Sequence, residues 1–532
     1  MSSDSVASPG SLSSAPLPAR AWLTAIMYIA AATLLLRFYD LPLKPLHSDE
    51  AVNGLFLTRL VVPPHQFRYD PANYHGPTLF YAAWLSTLVF PAPTFAIRAV
   101  AGIAGLLSVV LMLQFRRSIG SIGALAAALL LALSPGAVYF SRYFIHEMPL
   151  VFLTIGLVAA AIDWRQSGRE TSLYLAALSA GLMFATKETA FISVIVLAAA
   201  MFGAAWFVDA RLNARAGQPM PRPWQMAFLR RALRDVLDPP NRGRRQVAGW
   251  LIAAAMFLGV NVLFYTSFFT HPQGALDALK AFALWSNTGT SEHIHASYTY
   301  LAWLTQEEMA VLMLGTAGAI LALWKADNRF AVFAALWSIG ILAAYSMIPY
   351  KTPWLTLNII APLAICGGYA ADFAWRHLAA TRRLVVAGVV TALLLLSTYQ
   401  AVALSFVRYD DDAEPYVYAH TSRDVLRLVA DVQRIGEHNR DVTITVTSKS
   451  QFPLSWYLRS YRSRYYSTPL LTNDSLVIGA IDQQPALDRL LGDRYAKIGP
   501  YTLRSGVGLV LYGRRDLVGL GSSESNPNAT VR

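Results

Sequence analysis

The chain has 532 residues, of which 55% are hydrophobic and 14% charged, with a formal net charge of +12. Soluble domains carry about 25% charged residues, so this composition excludes an ordinary soluble enzyme and defines a polytopic membrane protein. The excess positive charge sits in short loops between apolar segments, a pattern of membrane orientation that argues against nucleic acid as a partner, and the single cysteine, Cys366, excludes an intrachain disulfide.

In chain order, residues 1–20 are rich in Ser, Ala and Pro and read as a disordered cytoplasmic tail. The apolar run Ala21 to Leu36 reads as a signal anchor, because Arg37-Phe38-Tyr39-Asp40 follows with no small-residue cleavage pattern. Mostly apolar segments of spanning length are predicted at 21–39, 95–114, 119–139, 148–163, 171–186, 188–208, 247–268, 304–324, 330–348, 354–372 and 384–406. The stretch 77–91, bracketed by Pro77 and Pro91, is predicted to be interfacial or re-entrant. Counting it as a span would place Arg116-Arg117 outside; leaving it out makes every short basic loop cytoplasmic. The loop 209–246, with nine arginines against three aspartates, has anionic lipid headgroups as its natural partner. Residues 407–519 alternate helix-like stretches (422–438, 484–491) with β-rich runs (442–446, 507–512) and read as a small α/β domain. A polar tail, 520–532, closes the chain.

This topology brings five polar clusters to the extracytoplasmic side: His47-Ser48-Asp49-Glu50, Tyr74-His75-Gly76-Pro77, Arg142 to Glu147, Lys187-Glu188 and Tyr350-Lys351-Thr352-Pro353. Ionisable groups at a membrane boundary are costly unless paired or used, so the set points to one polar cavity. Each member also has a structural reading. Ser48, Asp49 or Glu50 can cap the helix that follows. His75 and Glu147 can tie two loops, Lys187 can snorkel beside Glu188, and Lys351 can anchor at the interface. His293 and His295 form either half of a metal site or part of a polar loop near an acceptor.

As an ordered series, HSDEAVNG, NYHGPTLFY, SRYFIHEMPL, ATKETAFI and YKTPWL resemble the GT-C membrane glycosyltransferases. The nearest group is the dolichyl-phosphate-mannose protein mannosyltransferase and aminoarabinose transferase superfamily, and the wording is similar to its "flippase activity-associated" subfamily. The resemblance spans roughly residues 20–406. It implies an all-α polytopic membrane protein of GT-C fold, with about eleven transmembrane helices and a small C-terminal extracytoplasmic α/β domain. It further implies an inverting transfer of a sugar from a polyprenyl-phosphate carrier to a glycan, lipid or protein acceptor, on the outer face of the cell (inner) membrane. Asp49 matches the family's first-loop base, with Glu50 in support. His75 stands where aminoarabinose transferases place an acidic metal ligand, and with His146 and Glu147 it would hold a divalent ion, Zn, Mn or Mg. Lys187 matches a lysine used on the carrier phosphate, with Arg142 and Lys351 as further ligands of phosphate or sugar. The rival reading is a lipid-carrier flippase or its non-catalytic partner.

Overall fold

A computed structural model describes residues 17–223, 225, 228, 230, 246–291, 293–437, 439 and 441–518. Most of the arginine-rich stretch beyond 223, the tail at 520–532 and residues 1–16 of the N-terminal tail lie outside them; Ala19 and Arg20 already belong to the first helix. The chain forms two compact units, each discontinuous: residues up to Leu41 with Gln66–Val407, and Pro42–His65 with the chain from Arg408 on. The segment that follows α1 thus groups with the C-terminal unit.

The first unit is helical: α1 (Ala19–Phe38), α3 (Thr78–Val89), α4 (Pro93–Met112), α5 (Arg116–Leu133), α6 (Pro135–Phe140), α7 (Glu147–Ser167), α8 (Glu170–Phe184), α9 (Ala190–Arg215), α10 (Gln246–Tyr265), α11 (Gly274–Ser291), α12 (Thr299–Glu307), α13 (Met309–Lys325), α14 (Arg329–Met347), α15 (Leu357–His377) and α16 (Ala380–Val402). Among the described residues eight helices are long and apolar enough to cross a membrane, nine if α12 and α13, bent by 114°, form one span. Eleven spans were expected. The difference has two sources. The segments expected at 95–114 and 119–139 run as one apolar stretch, Pro93–Leu133, of 41 residues. At 1.5 Å per residue that stretch is about 60 Å, roughly two hydrocarbon thicknesses, and Gly120 breaks it at φ 81°. The segment expected at 171–186 yields only the 15-residue α8. Twelve-residue α3, about 18 Å long, is too short to cross.

Helix ends explain two buried cations. Pro135 stops α5 and strands its last carbonyls; Arg37, in the final turn of α1, donates to Leu131 O at 3.1 Å and Ala132 O at 3.0 Å. Arg142 serves α1 likewise, donating to Tyr39 O and Asp40 O at 2.7 Å each, with its guanidinium over Phe406 at 4.5 Å. Central helix α15 is buried along most of its length, and α13 lies against it backbone to backbone. A Cβ on Gly318 would stand 1.9 Å from Cys366 O, so only glycine permits that approach.

The second unit joins α2 (Ser48–Val61) to α17 (Asp424–Glu437), α18 (Leu454–Tyr457), α19 (Gln484–Leu491) and strands β1 (Thr443–Thr447), β2 (Arg462–Tyr466), β3 (Leu476–Ala480), β4 (Tyr495–Arg504) and β5 (Val507–Arg514). The sheet order is β2-β1-β3-β5-β4, with β1 parallel to β2 and β3, and β5 antiparallel to β3 and β4. Val425, Leu428, Val429 and Val432 make the apolar stripe of α17 and pack on one sheet face. Leu487 and Leu491 of α19 cover the other. The segment before α2 is tied in by Leu46 N–H, which donates to Tyr457 Oη at 2.9 Å, and by His47 Nε2, 3.1 Å from Tyr418 O.

Candidate active site

In the first unit three loops at helix starts meet: 74–78 before α3, 141–147 before α7, and 185–189 between α8 and α9. Gly76 N–H donates to Thr186 O at 3.0 Å, and Thr78 donates twice to Ala185 O, from N–H at 3.0 Å and Oγ1 at 2.7 Å. A Cβ on Gly76 would lie 2.1 Å from Ala185 O, so glycine is what lets the two loops touch.

The touching loops create two side-chain pairs. His75 Nδ1 lies 2.8 Å from Glu188 Oε2, and Lys187 Nζ donates to Glu147 Oε1. The structural alternatives of the sequence, His75 with Glu147 and Lys187 with Glu188, are not the pairs formed: His75 meets Glu188 and Lys187 meets Glu147. Lys187 and Glu188 are adjacent in the loop between α8 and α9, and their side chains reach different loops. His146 lies between them, its ring 4.7 Å from that of His75 and edge-on to Phe80 at 5.7 Å. It is buried, and its Nε2 has no hydrogen-bond partner among the described residues.

Electrostatics sorts these groups. Burial works against the Lys187 ammonium, but Glu147 and then Glu188 outweigh it and raise its pKa above the ordinary lysine value. Burial pushes Glu188 up, yet His75 and then Lys187 hold it below the usual carboxylate range. Burial, reinforced by His75 and Lys187, drives His146 well below its usual value, so its imidazole is neutral at pH 7. The cluster is therefore a fixed cation between carboxylates, beside an uncharged imidazole. Tyr74, His75, Lys187, Glu188, Trp285, Tyr345 and Tyr350 surround a cavity of about 20 Å³, room for one water-sized group.

A divalent ion does not fit this arrangement. The Lys187 ammonium stands against Glu147 Oε1, where its charge repels a second cation, and His75 Nδ1 is directed at Glu188. Among the described residues no group of three His, Cys, Asp or Glu is placed to hold a metal ion. Two other expected ligands face elsewhere. Arg142 caps α1, as above, and Lys351 Nζ turns back to Ile348 O at 2.5 Å and Ser346 O at 3.2 Å, at the end of α14. His293 and His295 flank a backbone bridge: His295 N–H donates to Pro349 O, and Lys351 N–H to His293 O. Trp285 of α11 and Tyr345 of α14, which wall the cavity, escaped the sequence reading because nothing local marks either: Tyr345 lies within an apolar span, and Trp285 in a stretch expected to be a loop.

In the second unit the start of α2 is capped by a box. His47 Nδ1 accepts from Asp49 N–H at 3.1 Å, and Glu50 Oε2 accepts from His47 N–H at 2.9 Å. Because Nδ1 accepts, the proton of the neutral ring sits on Nε2, facing Tyr418 O. Glu50 is buried in the box. The Asp49 side chain takes no part in capping and is 48% exposed, with Arg504 within its field.

A multi-pass helical membrane protein, with a charged cluster at one set of helix ends and a separate mixed-sheet unit, is the class these features define. Residues 74–214, which hold His75, His146, Glu147 and Lys187, match the family model described as dolichyl-phosphate-mannose-protein mannosyltransferase. The fold is similar to that of ArnT from Cupriavidus metallidurans bound to undecaprenyl phosphate: TM-score 0.59, 15% identity, 94% of this chain and 99% of that one. It is also similar to the oligosaccharyltransferase AglB from Archaeoglobus fulgidus, in complex with an inhibitory peptide and a dolichol-phosphate, at TM-score 0.52 and 13% identity over 87% of this chain and 70% of that one. The Archaeoglobus fulgidus oligosaccharyltransferase complexed with Zn and sulfate gives TM-score 0.53 and 14% identity, over 88% and 71%. No curated protein matches the sequence.

Proposed function

We propose that the chain is a GT-C glycosyltransferase that takes a sugar from a polyprenyl-phosphate carrier, on the extracytoplasmic face of the cell membrane. The observation that carries this reading is the buried Lys187 ammonium, kept charged by Glu147 and Glu188 within the stretch matching the mannosyltransferase model. A cation held ready at a membrane boundary suits a leaving lipid phosphate. The architecture supports the same reading, since ArnT was solved with undecaprenyl phosphate. In the proposed single displacement, an acceptor hydroxyl attacks the anomeric carbon while the bond from that carbon to the carrier phosphate oxygen breaks. Lys187 meets the charge that develops on the phosphate, and the hydroxyl proton passes to a carboxylate base, the role that the resemblance gives Asp49. Inversion at the anomeric carbon follows. Glu50 acts through the cap, holding the turn that carries Asp49. Anionic lipids surround the basic loops of the opposite face.

The test is transfer from purified polyprenyl-phosphate sugars by wild type and Asp49→Asn. General-base assistance contributes about 10²–10⁴-fold, so turnover drops by that order. Unfolding is unchanged, because the capping box uses His47 and Glu50 rather than the Asp49 carboxylate. Near-normal turnover in the variant overturns Asp49 as base. Movement of carrier lipid across vesicles without any transfer overturns the enzyme reading in favour of a flippase.

A further inference from the structure

The far ends of the same helices hold a second place built for a ligand. Two chambers flank the C-terminal half of α7. One, about 460 Å³, lies among α5, α7, α9 and α14; the other, about 400 Å³, lies among α7, α8, α9 and α10. They share Leu157, Ala161, Arg165 and Met201. The second chamber is apolar apart from Arg165, with Trp164, Trp250 and Phe257 in its wall. In the first, the polar residues collect at one end: Ser118 at the start of α5, Arg165 and Gln166 near the end of α7, and Arg329 at the start of α14. Leu157, Val194 and Leu197 line its depth.

Three features define the ligand. From Arg165 to Leu157 the helix rises about 12 Å, and a hydrocarbon core is about 30 Å thick, so each chamber has the depth of most of one leaflet. Arg165 stands eighteen residues along α7 from Glu147, about 27 Å, so the chambers open at the opposite membrane face from the charged cluster. Two apolar chambers meeting at one guanidinium match a headgroup that carries two chains. Arg165 is the cation that both chambers share, and Arg329, 2.9 Å from Asp209, lines the polar end of the first.

We propose that this is a site for one anionic glycerophospholipid, drawn from the leaflet beside the basic loops. Its phosphate lies at Arg165 with Arg329, and one acyl chain enters each chamber. The lipid fills the space between α7 and its neighbours, and its binding is independent of the transfer chemistry at the other face.

Native mass spectrometry of delipidated protein in detergent, with phosphatidylglycerol added back, tests this. One phosphatidylglycerol per chain is expected to bind, with phosphatidylcholine clearly weaker. Arg165→Gln removes a charge-assisted phosphate contact and weakens phosphatidylglycerol about ten- to a hundredfold. Ala161→Trp, which obstructs both chambers, removes binding of either lipid. Each variant decides by itself, provided its thermal unfolding matches wild type. Equal affinity for phosphatidylcholine overturns the headgroup assignment. Displacement of phosphatidylglycerol by undecaprenyl phosphate at equal concentration makes the chambers a carrier site, and displacement by inorganic phosphate makes them an ion site; either result overturns the proposal. So does wild-type affinity in both variants.

Discussion

His75 and Glu188, 113 residues apart in the chain, meet at 2.8 Å, and their pairing is what leaves Glu147 to Lys187. A double-mutant cycle measures this tie. Glu188→Gln and His75→Gln are each expected to destabilise the purified protein. Thermal unfolding of both singles and the double is expected to give a coupling of about 0.5–3 kcal/mol. Additive effects would mean that the contact contributes nothing.

Lys187→Met leaves the Glu147 carboxylate buried without its cation, a loss of about 3–5 kcal/mol. Adding Glu147→Gln removes the orphaned charge, so the double variant recovers most of the unfolding temperature. Transfer from the polyprenyl donor is expected to stay lost in both. A double variant that turns over normally takes Lys187 out of the site.

Gly76→Ala forces a Cβ into the Ala185 carbonyl, which has no room to give without moving the loop. The expected result is a destabilisation of about 1–3 kcal/mol, with loss of transfer at temperatures where the protein is still folded. Wild-type activity and unfolding would show that the loops need not touch.

The depressed pKa of His146 has a definite sign. Above about pH 6.5 the ring is neutral both folded and unfolded, and its contribution is complete. As pH falls through that value the unfolded chain takes up a proton that the buried ring refuses, and stability declines by up to about 1.4 kcal/mol per pH unit. Glu188, also lowered, loses its contribution only below the ordinary carboxylate value. Unfolding of wild type and His146→Phe between pH 7.5 and 5.5 checks this. The variant should show a flatter profile.

Accessible-tag mapping tests the orientation. Tags at 118 and 240 are expected on the cytoplasmic side, and tags at 290 and at the C-terminus outside. Labelling of 118 from outside would put the charged cluster and the lipid chambers on the reverse faces.

Composition and periodicity alone determined the membrane class, most of the long apolar helices of the first unit and the α/β character of the C-terminal unit, because apolar length and alternation are local properties. They also marked His75, Glu147, Lys187 and Glu188 as polar residues at helix mouths. Which of these pair was decided only by tertiary structure, since the partners lie on different loops and the contact depends on Gly76 lying against Ala185. The same holds for Arg142 and Lys351. Their charges were visible, but their use as caps for the carbonyls of α1 and α14 depends on where those helices end in space. The split of one 41-residue apolar stretch at Gly120, and the grouping of residues 42–65 with the distant C-terminal unit, are likewise set by packing between segments far apart in the chain.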